Sequence, residues 1–483
     1  MKISIKDITE SSCVCDALIL PFAEGDPGVY DGLSPSLAKL IRRVFSKEFR
    51  GKKNEVLLIP APDDFKPQRI LFIGLGMKSE ISGERVRQAG GRAAGYLKSL
   101  GMKKIALATG LLSSLSFSPA DFVEGALLGL YEFRKYFHVK NNKSIDSILV
   151  LSKKSKDLEA ELAWAGVVSS SVSFARDLVN TPANDMTPTQ LAREAVSLAK
   201  RNLTVKVLEK KESEKLGMGS YLSVAKGSKE PPKFIILDYK GAVAPPIVLI
   251  GKSVTFDSGG ISLKPADGME KMKYDMAGGA AVLGVFMALS EARLPVRVIG
   301  LLPATENLIG ESATRPGDVV RALNGKTIEI ISTDAEGRMT LADAIGYAKT
   351  LRPKAIIDIA TLTGACSIAL GSDAIAMMGN DRELLDKMKR SGDNVYERVW
   401  EMPLFEEYKE YIKSDIADLK NTGGKSGSLM SSASFLSEFA GDVPWVHLDI
   451  AGMAWLEKER PYSPKGASGV GVRLILNLIK ELK

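Results

Sequence analysis

Short apolar runs alternate with helix-like segments along the whole of this 483-residue chain. Runs of this kind, separated by segments with helical periodicity, are typical of an α/β fold rather than an all-helical or all-strand fold. In the first third, the spacing predicts strands at 3–7, 17–22, 55–60, 69–76, 104–109 and 147–152, and helices at 34–49, 83–100 and 119–136.

A charged, polar passage at 153–162 separates two halves with different motifs, and a helix is predicted after it at 163–180. We therefore expect two α/β domains, a smaller one over 1–160 and a larger one over 161–483. The second half is predicted to contain strands at 246–252, 296–304, 327–332 and 355–362, and helices at 276–292 and 340–351.

Cysteine content and terminal sequence bear on the compartment. The chain has only three cysteines, Cys13, Cys15 and Cys366. A small, odd number of cysteines argues against a disulfide framework and favours a reducing environment. The first residues lack the apolar stretch of a signal peptide, and no run of about 18 apolar residues predicts a membrane span. We expect a cytoplasmic protein.

The net charge of +7 permits weak attraction to nucleic acid. No nucleic-acid-binding motif accompanies the charge, so a solvated, lysine-rich surface is the favoured interpretation.

Two short segments concentrate the chemistry of the chain, GKSVTFDSGGISLKPADGMEKMKYDM at 251–276 and STDAEGR at 332–338. Four acids gathered in a cleft would repel one another, and two divalent cations would cancel their charge. The segments follow predicted strands, and ligands of open α/β sheets bind beyond the carboxyl ends of strands. We therefore predict a two-metal hydrolytic site. The candidate residues are Lys252, Asp257, Lys264, Asp275, Asp334, Glu336 and Arg338.

Other interpretations are weaker. Gly251, Lys252 and Ser253 resemble the end of a phosphate-binding loop, but Pro246 stands where that motif requires glycine. The chain has two histidines and no H-E-x-x-H motif, which excludes the usual single-zinc protease. Oxygen ligands accept zinc, manganese, cobalt or magnesium, so the metal stays open. Taken singly, Asp275 fits a helix cap, Arg338 an ion pair and Lys264 a solvated loop.

The STDAEGR segment, followed by LADA at 341–344, resembles the signature of the leucyl aminopeptidase, or cytosol aminopeptidase, family. The first third matches that family only in general character. Two departures are Ser332, where the family usually has asparagine, and Met339, where it usually has leucine. Further matches are NTPAN at 180–184, GMG at 217–219, DSGG at 257–260, Lys264 with Pro265, Met272, Asp275 with Met276, Gly278 and TLTGA at 361–365.

The resemblance implies a macro-like N-terminal domain and a catalytic domain with a central mixed sheet flanked by helices. It also implies the ligands of two divalent ions, manganese or zinc. Asp257 and Glu336 would bridge both ions, Asp334 would complete the more exchangeable one, and Lys252, as a neutral amine, would complete the tighter one with Asp275.

The resemblance implies roles for the neighbouring residues as well. Lys264 would stabilise the developing oxyanion. Arg338, helped by the backbone at Leu362, would hold a bicarbonate ion that serves as general base. An apolar pocket for the first side chain of the substrate would be lined by Met272, Thr361 and Gly364.

The function expected from this resemblance is a metal-dependent aminopeptidase that releases N-terminal residues, leucine and other apolar ones preferred, from short peptides. The family is typically a homohexamer. Two alternatives remain open, an additional DNA-binding regulatory role and a narrower dipeptidase of the cysteinylglycine type.

Overall fold

The computed structural model describes residues 1–27, 35–138, 143–200 and 202–482. The chain divides into two compact units. The smaller comprises Met1–Ser170 and Lys458–Lys465, and the larger comprises Ser171–Glu457 and Gly466–Lys483.

The smaller unit is built on one mixed sheet. The described strands run in the order β1-β6-β5-β2-β4-β3, parallel except for the antiparallel edge pair of β3 with β4. Helices and apolar side chains cover both faces, so strands such as β2 are buried along their whole length. The strands are β1 (Lys2–Lys6), β2 (Ala17–Ala23), β3 (Val56–Pro60), β4 (Arg69–Gly76), β5 (Lys104–Ala108) and β6 (Ser147–Leu151), and the helices are α1 (Pro35–Lys47), α2 (Gly83–Ser99), α3 (Gly110–Ser114) and α4 (Pro119–Gly129).

Two predicted helix boundaries in this region were wrong. The helix predicted to reach residue 136 ends at Gly129, and Leu130 is its C-cap. The charged passage is not a linker, because helix α5 (Lys156–Asn180) begins inside it and buries Leu158 and Leu162 in the core of the smaller unit. The first residue of the helix predicted at 34–49 lies outside the described part of the chain.

The larger unit carries more elements. Its strands are β7 (Leu203–Leu208), β8 (Lys233–Lys240), β9 (Ile247–Gly251), β10 (Ser253–Asp257), β11 (Arg297–Asn307), β12 (Val319–Arg321), β13 (Thr327–Glu329), β14 (Ala355–Ala360), β15 (Ile375–Gly379), β16 (Val399–Glu401), β17 (Leu419–Lys420), β18 (Trp445–Asp449), β19 (Trp455–Leu456) and β20 (Gly466–Ala467). Its helices are α6 (Pro188–Ser197), α7 (Lys210–Lys215), α8 (Gly219–Ala225), α9 (Ala277–Ala292), α10 (Glu336–Thr350), α11 (Gly364–Leu370), α12 (Arg382–Val395), α13 (Ser428–Ala440) and α14 (Val472–Glu481).

The main sheet of the larger unit has nine strands within the described residues. Its order is β16-β15-β18-β14-β9-β11-β8-β7, with β10 paired to β11. The centre, β18-β14-β9-β11, is parallel, whereas β15, β8 and β7 join antiparallel. Helices α9 and α10 both pack against β9 and β14. The predicted central mixed sheet flanked by helices is confirmed.

Helix α9 lies in the core of this sheet. Together with the 3₁₀ turn before it, it forms an apolar segment, Met269–Ala292, that is long enough by length and composition to cross a membrane. Of its most apolar window, 78% is buried inside the fold, as expected for the core helix of a globular domain.

Candidate metal centre

Two of the predicted polar residues stand at the carboxyl ends of strands of the main sheet. Lys252 directly follows β9, and Asp257 is the last residue of β10. Asp275 lies in the 3₁₀ turn that precedes α9, and Glu336 is the first residue of α10. The carboxylates of Asp257, Asp334 and Glu336 each place an oxygen within 4.8 Å of the others.

Lys252 organises the buried half of this cluster. Its Nζ lies 2.7 Å from Glu336 Oε1 and 2.7 Å from Asp275 Oδ2, and it donates to the backbone carbonyl of Thr361 at 2.9 Å. The Lys252, Asp275 and Glu336 side chains are each less than a tenth exposed. The pairing fixes the amine between two acids contributed by separate elements.

Lys264 organises the outer half. Its Nζ lies 2.8 Å from Asp257 Oδ2 and is also ion-paired with Asp334, the most exposed acid of the set. Asp257 Oδ1 accepts hydrogen bonds from the N–H of Gly259 at 2.9 Å and from Asn307 Nδ2 at 2.8 Å. These contacts therefore fix the orientation of the Asp257 carboxylate.

The protein groups alone do not balance the charge of the cluster. Four carboxylates face two lysines, which leaves two negative charges when all are ionised. Burial is the largest cause that raises the pKa of Asp257, Asp275 and Asp334 above the ordinary aspartate value. Asp275 Oδ2, although 2.7 Å from the Lys252 amine, has no partner with hydrogen-bond geometry among the described residues. A donor set of buried, under-neutralised carboxylate oxygens fits divalent cations.

Lys252 fits such a centre only as a neutral amine. Burial disfavours its charged form, but the Asp275 and Glu336 carboxylates outweigh burial and raise the pKa of Lys252 above its ordinary value. Cations bound to those carboxylates would remove this stabilisation of the ammonium group, which is the condition for ligation through Nζ.

The geometry of Asp334 and Glu336 differs from the prediction. Residues two apart in an extended chain share a face, which is what the spacing of Asp334 and Glu336 in the sequence predicts. In the structure β13 ends at Glu329 and Glu336 already opens α10. Ala335, the residue between them, has φ −106° and ψ 39° and forms the helix start. The helix therefore directs the Glu336 carboxylate inward near its positive end.

Ser332 makes a local contact within the loop between β13 and α10, residues 330–335, which is called the metal loop below. Its Oγ accepts the N–H of Asp334 at 3.3 Å, so the residue that departs from the family pattern caps the turn carrying the acid.

Arg338 lies deeper, within α10. Its NH1 donates to the backbone carbonyl of Asn421 at 2.7 Å, whereas its buried Nε has no hydrogen-bond partner among the described residues. Burial lowers the pKa of Arg338 to about 10. The backbone N–H of Leu362 donates to Asp449 Oδ1 at 3.1 Å, so the predicted part of Leu362 in binding an anion stays a prediction.

The predicted pocket residues lie along the loop after β14 and in the turn before α9. Thr361 is buried, and its hydroxyl donates to Asp275 Oδ1 at 2.7 Å, which connects it to the cluster. Gly364 begins α11 and faces open space, since a Cβ there would meet no atom within 4 Å. Met272 is half-buried three residues before Asp275. Their role as a side-chain pocket stays a prediction.

Two asparagines beside the cluster were missed in the sequence. Asn307 Nδ2 bridges Asp257 Oδ1 and the carbonyl of Thr333, at 2.8 and 3.0 Å. It ends β11, three residues beyond the predicted strand, and a polar residue at the carboxyl end of a buried strand is a signal that could have identified it. Asn421 contacts the metal loop through tertiary structure alone.

Comparison with known families decides the class. A model described as the cytosol aminopeptidase family, catalytic domain, matches residues 173–476. A second, the N-terminal domain of the same family, matches residues 29–140. The chain belongs to the cytosol aminopeptidase family.

Relatives match this chain over nearly its full length. The chain is 46% identical to a probable cytosol aminopeptidase of Geotalea uraniireducens, covering 97% of both chains, and 44% identical to one of Geobacter sulfurreducens, covering 99% of both. Among solved structures, a point mutant of tomato leucine aminopeptidase matches with TM-score 0.89 and 33% identity, over 100% of this chain and 96% of the other. The bottromycin maturation enzyme BotP, in complex with Mn, matches with TM-score 0.86 and 31% identity, over 97% and 99%.

Membership confirms the predicted family, fold class and enzyme class. This cytosol aminopeptidase family member is a metal-dependent aminopeptidase, a hydrolase of peptides that depends on two metal ions.

Proposed function

We propose that this aminopeptidase releases leucine and other apolar N-terminal residues from short peptides, with two divalent ions held by its own cluster. The observation that carries this proposal is the convergence of the Asp257, Asp334 and Glu336 oxygens within 4.8 Å. The proposed ligands are Lys252, Asp257, Asp275, Asp334 and Glu336.

Manganese and zinc are the proposed metals. Both accept carboxylate oxygens, and a Mn complex of the structural relative BotP supports the first. When bound, the ions polarise the peptide carbonyl and lower the pKa of water so that it is nucleophilic near neutral pH.

The side chains around the cluster would orient the substrate and bicarbonate and would stabilise the tetrahedral intermediate. Lys264 Nζ reaches the cluster from the less buried side, where its charge would stabilise an anionic oxygen of the tetrahedral intermediate. Arg338, whose Nε has no hydrogen-bond partner among the described groups, would hold bicarbonate as general base. The free amino group of the substrate would bind beside Asp275, which would explain the requirement for an N-terminus.

Three finer properties are proposed as well. Met272, Thr361 and Gly364 are proposed to line the first side-chain pocket, with leucine or methionine preferred. A cytoplasmic location is supported by the naming of the relatives as cytosol aminopeptidases. A homohexamer remains a proposal from family resemblance.

The test compares Glu336→Gln with wild type on a panel of aminoacyl anilides and dipeptides, after chelation and re-addition of single metals. Glu336→Gln removes a charge from the cluster and should lower kcat/KM by at least about 100-fold. Glu291→Gln, on the exposed side of α9, is the matched control and should retain full activity. Near-normal hydrolysis by Glu336→Gln would overturn the ligand assignment, and exclusive cleavage of cysteinylglycine would favour the narrower dipeptidase.

A further inference from the structure

Asn421 occupies the junction between a small strand pair and the metal loop. Strands β13 and β17 are parallel, with Ile328 opposite Leu419 and Glu329 opposite Lys420, and regular pairing ends there. Asn421 is the next residue after β17, and its side chain is fully buried.

The Asn421 side chain continues the hydrogen-bond ladder where the backbone pairing stops. Its backbone N–H donates to the carbonyl of Glu329 at 2.9 Å. Its Oδ1 accepts the N–H groups of Ile331 at 2.9 Å and Ser332 at 3.3 Å, and its Nδ2 donates to the carbonyl of Ser332 at 2.7 Å. A primary amide offers the same acceptor and donor as a peptide group, so it can replace one in a ladder.

The same residue also holds Arg338. The Asn421 backbone carbonyl accepts from Arg338 NH1 at 2.7 Å. Asn421 thus holds two parts of the site. Its side chain holds the backbone that leads to Asp334, and its backbone carbonyl holds the guanidinium group of Arg338 at the start of α10.

We infer that Asn421 is a positioning residue that sets where Asp334 and Arg338 stand relative to Asp257 and Glu336. The inference rests on the proposed function, because it assigns Asn421 to the metal loop of that site. Without the side-chain amide, the backbone groups of Ile331 and Ser332 lose their partners and the loop can shift. Asp334, the most exposed ligand, is displaced first.

The test uses Asn421→Asp, which keeps the shape and Oδ1 but places an oxygen opposite the Ser332 carbonyl. Its control is Asn380→Asp in the same unit, at an exposed asparagine. Asn380 likewise donates through Nδ2 to two backbone carbonyls, of Gly441 and Val443 at 2.8 and 2.9 Å, and accepts from Trp445 N–H at 2.8 Å. It contacts none of the proposed ligands in the described hydrogen bonds.

Mn²⁺ is titrated into chelator-stripped full-length protein, and the dissociation constant of the weaker site, kcat, KM and Tm are measured. Asn421→Asp should weaken that site by about 10-fold to 100-fold and lower kcat more than it raises KM, while Asn380→Asp leaves both constants within about twofold. A purely structural role would lower Tm without changing Mn²⁺ affinity, and that result overturns the inference.

A second variant and the wild type distinguish failure of this inference from failure of the proposed function. If Asn421→Asp does not fold, Asn421→Ser retains a shorter hydroxyl donor and should show a smaller loss of affinity in the same direction. Wild-type Mn²⁺ affinity in that variant would equally overturn the inference. A wild-type protein that binds no Mn²⁺ and cleaves no leucine anilide would instead refute the proposed function.

Discussion

The Lys252 amine occupies the space that a side chain at Gly337 would need. A Cβ built on Gly337 would lie 2.7 Å from both Cε and Nζ of Lys252 and 2.9 Å from Leu362 Cδ1. Lys252 itself is ion-paired with Asp275 and Glu336, so it cannot move aside without breaking the cluster. The absence of a side chain on the second residue of α10 is therefore a requirement of the metal centre.

Gly337→Ala should lower activity and metal affinity, because the new methyl group pushes Lys252 away from Asp275 and Glu336. The control is Gly346→Ala in the same helix, where the nearest atom, Leu323 Cδ2, lies at an ordinary 3.5 Å. That substitution should leave kcat/KM unchanged and raise the unfolding free energy by up to about 1 kcal/mol. Equal activity of the two variants would show that Lys252 can shift freely.

Removal of the metal ions should destabilise the folded protein. The buried carboxylates repel one another without cations, and a ligand at about 100 times its Kd adds about 2.7 kcal/mol per site. We expect chelation to lower Tm and excess Mn²⁺ or Zn²⁺ to restore it, as measured by calorimetry. A Tm that is the same with and without chelator would contradict a structural contribution of the ions.

Lys264→Met should reduce kcat more than it raises KM. Its charge would stabilise the oxyanion mainly in the transition state, and loss of such a donor costs about 100-fold to 1,000-fold in kcat. Lys271→Met removes a lysine that pairs with Glu457 at 2.6 Å instead, and steady-state kinetics should show little change. A pure KM effect in Lys264→Met would assign that residue to substrate binding alone.

Because Asp343 is buried, we expect the stability of the folded protein to depend on pH. It is buried in α10 and accepts the N–H groups of Tyr221 at 2.8 Å and Leu323 at 2.7 Å, yet burial raises its pKa to about 7. Between the ordinary aspartate pKa and that value, the folded chain holds a proton that the unfolded chain has lost. The contribution of this group is therefore present at low pH and is lost as pH rises towards 7.

Urea unfolding of wild type and Asp343→Asn at about pH 5 and about pH 8 measures this contribution. The asparagine cannot ionise, so the stability of wild type relative to the variant should be greater at the lower pH. A difference between the two proteins that does not vary with pH would mean that Asp343 stays ionised when folded.

The thiols should be inert in the native state. Cys13, Cys15 and Cys366 are all buried, and burial raises the pKa of Cys366 to about 12. A thiol-specific chromogenic reagent should therefore react with none of the three until denaturant opens the fold. Rapid labelling of a cysteine in the folded protein would contradict this expectation.

The buried strands that the sequence predicted are nearly continuous apolar runs between turn residues, whereas the buried strands β8, β15 and β18 were not predicted. Strand β4 has the predicted bounds, 69–76, and β9 lies within the predicted 246–252. Helix ends were less accurate, as at Gly129 and Lys156, since helix ends depend on which face finds a core to pack against.

The acids of the cluster could be recognised from residue type and motif, but their geometry could not. Whether Glu336 continues an extended segment or opens a helix depends on the packing of α10 against the sheet, and the extended interpretation was wrong. Asn421 gave no signal at all, because its contacts with Ile331 and Ser332 join segments that are distant in the sequence.

The groups around the cluster are contributed by the ends of β9 and β10, the turn before α9 and the start of α10. These elements meet only in the folded larger unit, so the complete donor set forms only when that unit has folded. Binding of the proposed ions would therefore report the folding of the catalytic unit.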